Sequence, residues 1–315
     1  MEIRQLNALL AVAEHGTFSA AADALDTVQS NVSSHIARLE KELDAVLFDR
    51  AQGGLTQEGE AVIRRARRAM SELEAAKADV AAFRHEVVGD VRIGLIGTTA
   101  RWLVPQLLDL MSERFPKTHL RVSEGTTSVL EPQLNVGALD LAIVLLPVPS
   151  PELVTEPLFD EEMLLVVSHD HHLAQHDQVD LTDLVDVPLL LPPVGTAQRA
   201  EIDAAAANVG VTLKAKAEID GVRLTASLVF DGHGPSILPA TSLPGYLREQ
   251  WKLIYVEGLP RRRVGLARQR RSYPSAPARA LRGVLNEVVA TRTELHPGLH
   301  LSDRARIATL RSGNS

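Results

Sequence analysis

Residues 18–40 read Phe-Ser-Ala-Ala-Ala-Asp-Ala-Leu-Asp-Thr-Val-Gln-Ser-Asn-Val-Ser-Ser-His-Ile-Ala-Arg-Leu-Glu, which spells two short helices across a tight turn. Ser19 is suited to cap the first helix, because its hydroxyl can accept from the unpaired amides of the opening turn. Ala20, Ala21, Ala22 and Ala24 are small enough for a second helix to cross closely over them. Asp26 and Thr27 break the pattern, and Thr27 can cap the helix that follows. In that helix Val32, Ile36, Leu39 and Leu43 recur at steps of four, three and four, the apolar stripe of a packed helix. The opposite pole falls on Ser30, Ser34, Ala37 and Lys41, flanked by Ser33 and Arg38. A face so short and polar can lie in a DNA major groove and exchange hydrogen bonds with base edges. A helical hairpin with a solvated face fits the same pattern.

The surrounding residues favour the groove. Leu6-Asn-Ala-Leu-Leu-Ala-Val-Ala-Glu-His-Gly-Thr-Phe-Ser, Gln29-Ser-Asn-Val-Ser, Arg38-Leu-Glu, Leu47-Phe-Asp-Arg and Leu55-Thr-Gln-Glu-Gly follow one another over about 60 residues. In order and spacing these blocks resemble the N-terminal helix-turn-helix of LysR-type transcriptional regulators. Many members carry Ser-Gln-Pro at the start of the recognition helix, where this chain has Val28-Gln29-Ser30. The resemblance implies a winged helix in which Gln29, Ser33 and Ser34 read bases, with Ser30 and Arg38 assisting. It also implies that Arg50 holds phosphate and that the Thr56 region lies beside the minor groove. Arg suits phosphate geometry, but a salt bridge from Arg50 to Asp49 or Glu58 is the competing role.

Charge runs against the usual basic footprint of a DNA-binding domain. Residues 1–60 hold four Lys/Arg against ten Asp/Glu, a net of −6. The nearest basic help is Arg64-Arg65-Ala66-Arg67-Arg68, and dimerisation would double every phosphate contact. From Glu58 to Val87 there is no Pro and only Gly59, so one long helix is expected. Ile63, Ala66, Met70, Leu73, Val80 and Val87 fit a heptad seam on it, with Lys77 and Arg84 at the remaining positions. Ile63, Met70, Leu73 and Val80 are therefore expected to pair two subunits. Packing of the helix on its own domain is the alternative.

Beyond Gly89, strands alternate with helices, which implies an α/β domain with a largely parallel sheet. The Thr98-Thr99 loop, Glu124-Gly125, Gly137-Ala-Leu-Asp-Leu-Ala-Ile, His172-Leu-Ala and Gly232-His-Gly-Pro-Ser-Ile-Leu-Pro resemble, in order, the LysR effector domain. That resemblance implies two α/β lobes of the periplasmic-binding-protein kind, joined by crossovers placed near Asp160–Met163 and Val264–Leu266. The expected division is a mainly α winged helix-turn-helix at 1–57, a linker helix at 58–88 and an effector-binding domain at 89–295. Within the last, lobe I takes 89–161 and 265–295, and lobe II takes 162–264. Residues 296–315 are left as a C-terminal tail outside the resemblance.

The resemblance places a small polar or anionic effector between the lobes, held by Thr98 and Thr99, by Thr126 and Thr127, and by Thr196. Hydroxyls and amides at strand ends can hold a carboxylate without burying a counter-charge, although threonines there can equally cap helices. Eleven aromatic residues in 315 disfavour a cleft built for stacking.

His169, His171, His172 and His176 crowd one loop, but their spacing does not converge on a metal. Six arginines between Arg261 and Arg271 read either as an interaction patch or as counter-charges to acids such as Glu161 and Glu162. No Gly-x-Ser-x-Gly elbow, P-loop or His-Glu-x-x-His occurs, so no catalytic residue, cofactor or metal is expected. Zero cysteines exclude disulfides and thiol-based redox sensing. No apolar run is long enough for a membrane span, and the N-terminus lacks a signal-peptide pattern, so a cytoplasmic protein is expected. An enzyme with an autoregulatory helix-turn-helix and a solute-binding transport component are the rival readings. The expected partners are promoter DNA, a small effector, a second subunit giving a homodimer or homotetramer, and RNA polymerase as a further candidate.

Overall fold

The computed structural model describes residues 1–51, 53–84, 86–244, 247 and 249–303. The chain opens with α1 (Ile3–His15), α2 (Phe18–Ala24) and α3 (Gln29–Leu43). Gly16 ends α1 with φ 77°, the left-handed conformation that a residue without Cβ adopts freely. The caps differ from those expected. Thr17, two residues before Ser19, caps α2 by accepting from the Ala20 amide. Val28 precedes α3 without a side-chain cap, and the Thr27 hydroxyl instead accepts from Asn31.

A two-stranded wing follows, β1 (Phe48–Asp49) antiparallel to β2 (Gly54–Leu55), and leads into α4 (Gln57–Ala82). Leu9, Val12, Ala21, Val32, Ile36, Leu39 and Leu47 form the core of this domain. Ile63 and Ala66 of α4 belong to the same core. The helix stops at Ala82, five residues before the expected end at Val87. The Gly89 amide donates to the Lys117 carbonyl, and this residue opens the next strand.

Lobe I begins with β3 (Gly89–Leu95), α5 (Gly97–Arg114), β4 (Thr118–Glu124), α6 (Thr127–Asn135), β5 (Leu141–Leu146) and β6 (Leu153–Glu161). Lobe II is continuous: β7 (Met163–Ser168), β8 (Gln178–Asp180), β9 (Leu189–Leu191), α7 (Ala197–Asn208), β10 (Ala215–Glu218), α8 (Val222–Phe230), β11 (Ser236–Pro239) and β12 (Trp251–Glu257). The chain then returns to lobe I with β13 (Arg262–Gln269), α9 (Ala276–Glu294) and β14 (Leu299–Leu301). Each lobe carries a six-stranded sheet, ordered β14-β6-β13-β5-β3-β4 in lobe I and β10-β9-β11-β7-β12-β8 in lobe II.

These sheets are mixed, where a largely parallel one was expected. Strands β3, β4 and β5 are parallel, but β13 runs antiparallel to both β5 and β6 because it returns from the other lobe. The first crossover lies between Glu161 and Met163. The second lies at 258–261, earlier than the expected Val264–Leu266, so lobe I resumes at Arg262 rather than residue 265. Val264 and Leu266 are buried in the lobe I core, whereas Gly258, at φ 86°, supplies the turn between lobes. Residues 296–303 are not merely tail: β14 adds to the edge of β6, and only residues 304–315 of that segment lie outside the described part. Among the described residues no helix is long and apolar enough to cross a membrane.

Candidate DNA-binding face and effector cleft

The recognition helix divides as its sequence requires. Val32, Ile36 and Leu39 are fully buried, while Gln29, Ser30, Ser34, Ala37, Arg38 and Lys41 are exposed. Leu43, read as the end of the stripe, is 38% exposed, because α3 closes there and Asp44 turns left-handed. Arg50 reaches the same face from the wing. Its guanidinium lies 5.5 Å from the centre of the Phe18 ring and donates to the Ser33 hydroxyl at 3.2 Å. Phe18 in turn meets Phe48 edge-on at 5.0 Å. These contacts hold a permanent cation beside α3.

Two residues whose roles the spacing alone did not reveal lock the wing to α3 and α4. Glu40 accepts from the amides of Leu47 (2.8 Å) and Phe48 (3.2 Å). Its signal in the sequence was an acid inside the basic and apolar face, in Arg38-Leu39-Glu40. Gly59 packs directly on the wing: a Cβ there would stand 2.0 Å from the Leu47 carbonyl oxygen. Thr56 is committed within the domain, since its hydroxyl donates to Val46 O (2.6 Å) and accepts from the Gly59 amide (2.9 Å). Its hydroxyl therefore caps α4 and is not free for the minor groove.

Along α4 the expected seam splits. Ile63 is buried against its own winged helix and has no side chain left for a partner subunit. Met70 is half-buried, and Leu73 (41%) and Val80 (60%) are exposed, with Ile3 and Ala76 lining the same apolar groove. The other face of α4 lies on lobe I. Arg68 donates to the Asn135 carbonyl and pairs with Glu152, Arg92 donates to Ser71, and Arg279 pairs with Asp79. Arg68 is thus held by lobe I and is not part of a free basic patch.

The threonines of the effector reading gather at strand ends. Leu95 of β3 and Glu124 of β4 are neighbours in register, so the starts of α5 and α6 share one edge of the sheet. Thr98 and Thr99 occupy the first turn of α5 and are buried; the Thr99 hydroxyl has no hydrogen-bond partner among the described residues, and the Thr98 hydroxyl accepts from that of Thr241 at 2.8 Å. Thr126 contacts Ser128 at 2.9 Å, and Thr127 accepts from the Leu145 amide. Thr196 is a helix cap, accepting from the Arg199 amide and donating to Pro193 O, so its hydroxyl is already committed. The lobes meet above this edge. Arg223 at the start of α8 pairs with Glu124, and Val222 lies 3.2 Å from where Gly97 would carry a Cβ. A cavity of about 970 Å³, between α1, α4 and lobe I, includes none of the five threonines.

The arginine-rich segment is an internal ladder. Arg263 pairs with Asp160 (2.8 Å), Arg262 with the fully buried Glu161, and Arg261 with Glu162 (2.6 Å), following the antiparallel register of β13 on β6. His300 of β14 also reaches Glu162, at 2.8 Å. Arg270 donates to the carbonyls of Pro151 and Leu153. In the histidine loop, His171 accepts from the Leu173 amide and stacks on His172, and burial pushes the His171 pKa down.

The helix-turn-helix model described as "Bacterial regulatory helix-turn-helix protein, lysR family" matches residues 3–60, and the "LysR substrate binding domain" model matches residues 84–290. The chain is 30% identical over 301 residues to the DNA-binding transcriptional dual regulator OxyR of Escherichia coli, covering 94% of this chain and 97% of that protein. A probable hydrogen peroxide-inducible genes activator of Mycobacterium leprae is 32% identical, over 92% of this chain and 94% of its own length. Among solved structures, a full-length OxyR variant from Pseudomonas aeruginosa superposes with a TM-score of 0.71 at 24% identity, covering 92% and 94% of the two chains. CbnR in complex with its target DNA gives 0.65 at 22% identity, covering 92% and 99%. A winged helix with a split recognition face, a linker helix and a two-lobed α/β domain thus meet in one chain, which belongs to the LysR family of DNA-binding transcriptional regulators.

Proposed function

We propose that the protein binds promoter DNA as a dimer and that a small polar or anionic effector between its lobes modulates this binding. The observation that carries the reading is the division of α3, with three apolar residues fully buried and its polar residues exposed beside a pinned Arg50. Gln29, Ser33 and Ser34 then read bases, with Ser30 and Arg38 assisting and Arg50 fixing register on phosphate. The groove along Met70, Leu73 and Val80 serves the dimer, and two dimers can assemble into a tetramer. Thr98, Thr99, Thr126 and Thr127 serve the effector, which acts by binding one lobe arrangement better than another. RNA polymerase is the candidate downstream partner, and the cytoplasm the setting.

Several relatives bear names that refer to hydrogen peroxide. This chain has no cysteine, so a thiol cannot be its sensor. The effector reading therefore rests on the cleft and not on thiol oxidation.

The test begins with DNA fragments that the protein itself retains from a random pool. Ser34→Ala should change which fragments are retained. Arg50→Ala should weaken all of them alike and reduce the salt dependence by about one unit of slope per subunit. Wild-type binding by both variants would remove α3 and the wing from the interface.

A further inference from the structure

Glu162 is the single residue between β6 and β7 and so forms the first crossover, while Arg261 closes the second. The Glu162 carboxylate is buried. Its Oε1 accepts from Arg261 Nε (2.6 Å), and His300 Nε2 of β14 lies 2.8 Å from the same atom. One side chain therefore joins both crossovers to the C-terminal strand. The backbone repeats the tie: the Glu162 amide donates to Gly298 O (2.8 Å), and the Glu162 carbonyl accepts from the amide of Ala240 in lobe II (3.0 Å). Farther along, the segment is anchored on lobe I. Leu299, His300 and Leu301 pair with Glu161, Asp160 and Phe159. Ser302 donates from its amide to Leu158 O (3.0 Å) and from its hydroxyl to Pro157 O (2.8 Å). Gly298 meets lobe II instead: a Cβ there would stand 2.9 Å from Ala240 Cβ and 3.1 Å from Leu164 Cδ1. Leu299, 6% exposed, belongs to the same buried cluster as Leu164 and Ala240.

We propose that residues 296–303 are a strap across the interlobe hinge, and that this strap sets the resting angle between the lobes. Hinged on its two crossovers, lobe II can turn in either sense. Turning towards the strap drives Ala240 and Leu164 into a backbone beside which not even one further methyl group fits. Turning away strips Gly298 of those neighbours and opens a void in the cluster that holds Leu299. One angle satisfies both sides, because a hydrogen-bonded ladder fixes the strap to lobe I and close packing seats lobe II on it. An effector that favours another lobe arrangement has to shift these contacts, so the strap enters the differential binding by which an effector acts. The inference concerns the lobe angle of the protein alone and stands or falls apart from where an effector binds.

The test moves one methyl group across this contact in the full chain. The protein has no cysteine, so Ser112→Cys on α5 and Ala204→Cys on α7, both exposed, give each lobe a single nitroxide label. Dipolar electron paramagnetic resonance, on labelled protein diluted with unlabelled protein, then reads the distance between the lobes of one chain. With the strap intact that distance should form a single narrow peak. Gly298→Ala should displace or split the peak, and adding Ala240→Gly, which returns the space the new methyl takes, should bring it back. Gly298→Ala also places a side chain at a φ of 78°. That strain is present with and without Ala240→Gly, so recovery reports the packing between strap and lobe II. His300→Ala removes the side-chain link to Glu162, leaves Gly298 untouched and should broaden the peak; it decides the question if Gly298→Ala does not fold. A Gly298→Ala peak that coincides with the unsubstituted one, or a shift that Ala240→Gly leaves in place, overturns the proposal. So does an unchanged peak in His300→Ala, which would make β14 an edge strand of lobe I and nothing more.

Discussion

Replacing Gly59 with Ala sets two tendencies against each other, and the structure decides which wins. Alanine is worth about 1 kcal/mol over glycine inside a helix. Here, however, the new Cβ would lie 2.0 Å from the Leu47 carbonyl oxygen, whereas real Cβ contacts essentially never fall below 3.0 Å. The opposing atom is backbone of the buried Leu47 at the foot of the wing, so α4 and that segment must separate by the missing 1.0 Å. Overpacking of this kind costs about 1–3 kcal/mol. The separation also strains the Thr56 cap, worth about 1 kcal/mol, and its bond to Val46, worth about as much. The net expectation is a loss of about 2–4 kcal/mol, with Arg50 displaced from α3 and DNA binding weakened. Gly283→Ala in α9 is the control, because its Cβ would meet nothing within 4 Å. It should gain about 1 kcal/mol. Urea denaturation of the full chain, read alongside gel-shift titration, measures both variants. A Gly59→Ala protein as stable as wild type, with unchanged DNA affinity, would refute the packing argument.

Removing the arginine of the buried rung, Arg262→Ala, leaves Glu161 buried beside no cation and should cost about 3–5 kcal/mol in denaturant unfolding; a loss below about 1 kcal/mol would mean that water reaches the hinge. Met70→Asp with Leu73→Asp places charges in the α4 groove and should shift sedimentation from dimer to monomer without unfolding the winged helix; an unchanged sedimentation coefficient would rule out that groove as the subunit contact. Glu287 is held below the usual carboxylate range by its two hydrogen bonds from Arg114, at 2.5 and 2.8 Å, which join α9 to α5. A lowered folded-state pKa stabilises above the unfolded value and loses that stabilisation as pH falls through the folded one. The stability difference between wild type and Glu287→Gln should therefore shrink on acidification, and a difference that grows towards low pH would contradict the pairing.

The local features were readable from sequence because short-range periodicity governs them. The α3 stripe needed only the 3.6-residue repeat. The Leu55-Thr-Gln-Glu-Gly block was visible as a motif, but its reason was not. Thr56 and Gly59 serve a contact with Leu47 that no spacing rule encodes. The second crossover was misplaced for a similar cause. Its position depends on Arg261, Arg262 and Arg263 meeting acids about a hundred residues earlier, which the chain reveals only when folded. The five threonines of the effector reading were singled out by resemblance. What the sequence could not show was how many of their hydroxyls were already engaged, as in the Thr196 cap and the Thr98–Thr241 bridge.

The course of the chain between the lobes has a consequence for synthesis. Lobe II, from Met163 to Glu257, is one uninterrupted segment and can be completed as soon as it leaves the ribosome. Lobe I emerges earlier but stays unfinished, because β13, the strand between β5 and β6, comes about a hundred residues after β6. Until then β5 and β6 present unpaired edges, which invite pairing with other nascent chains. The order of emergence is thus the reverse of the order of completion. A truncation after Gln250 would therefore remove no residue of the first half of lobe I and still leave that half without the strand that closes its sheet.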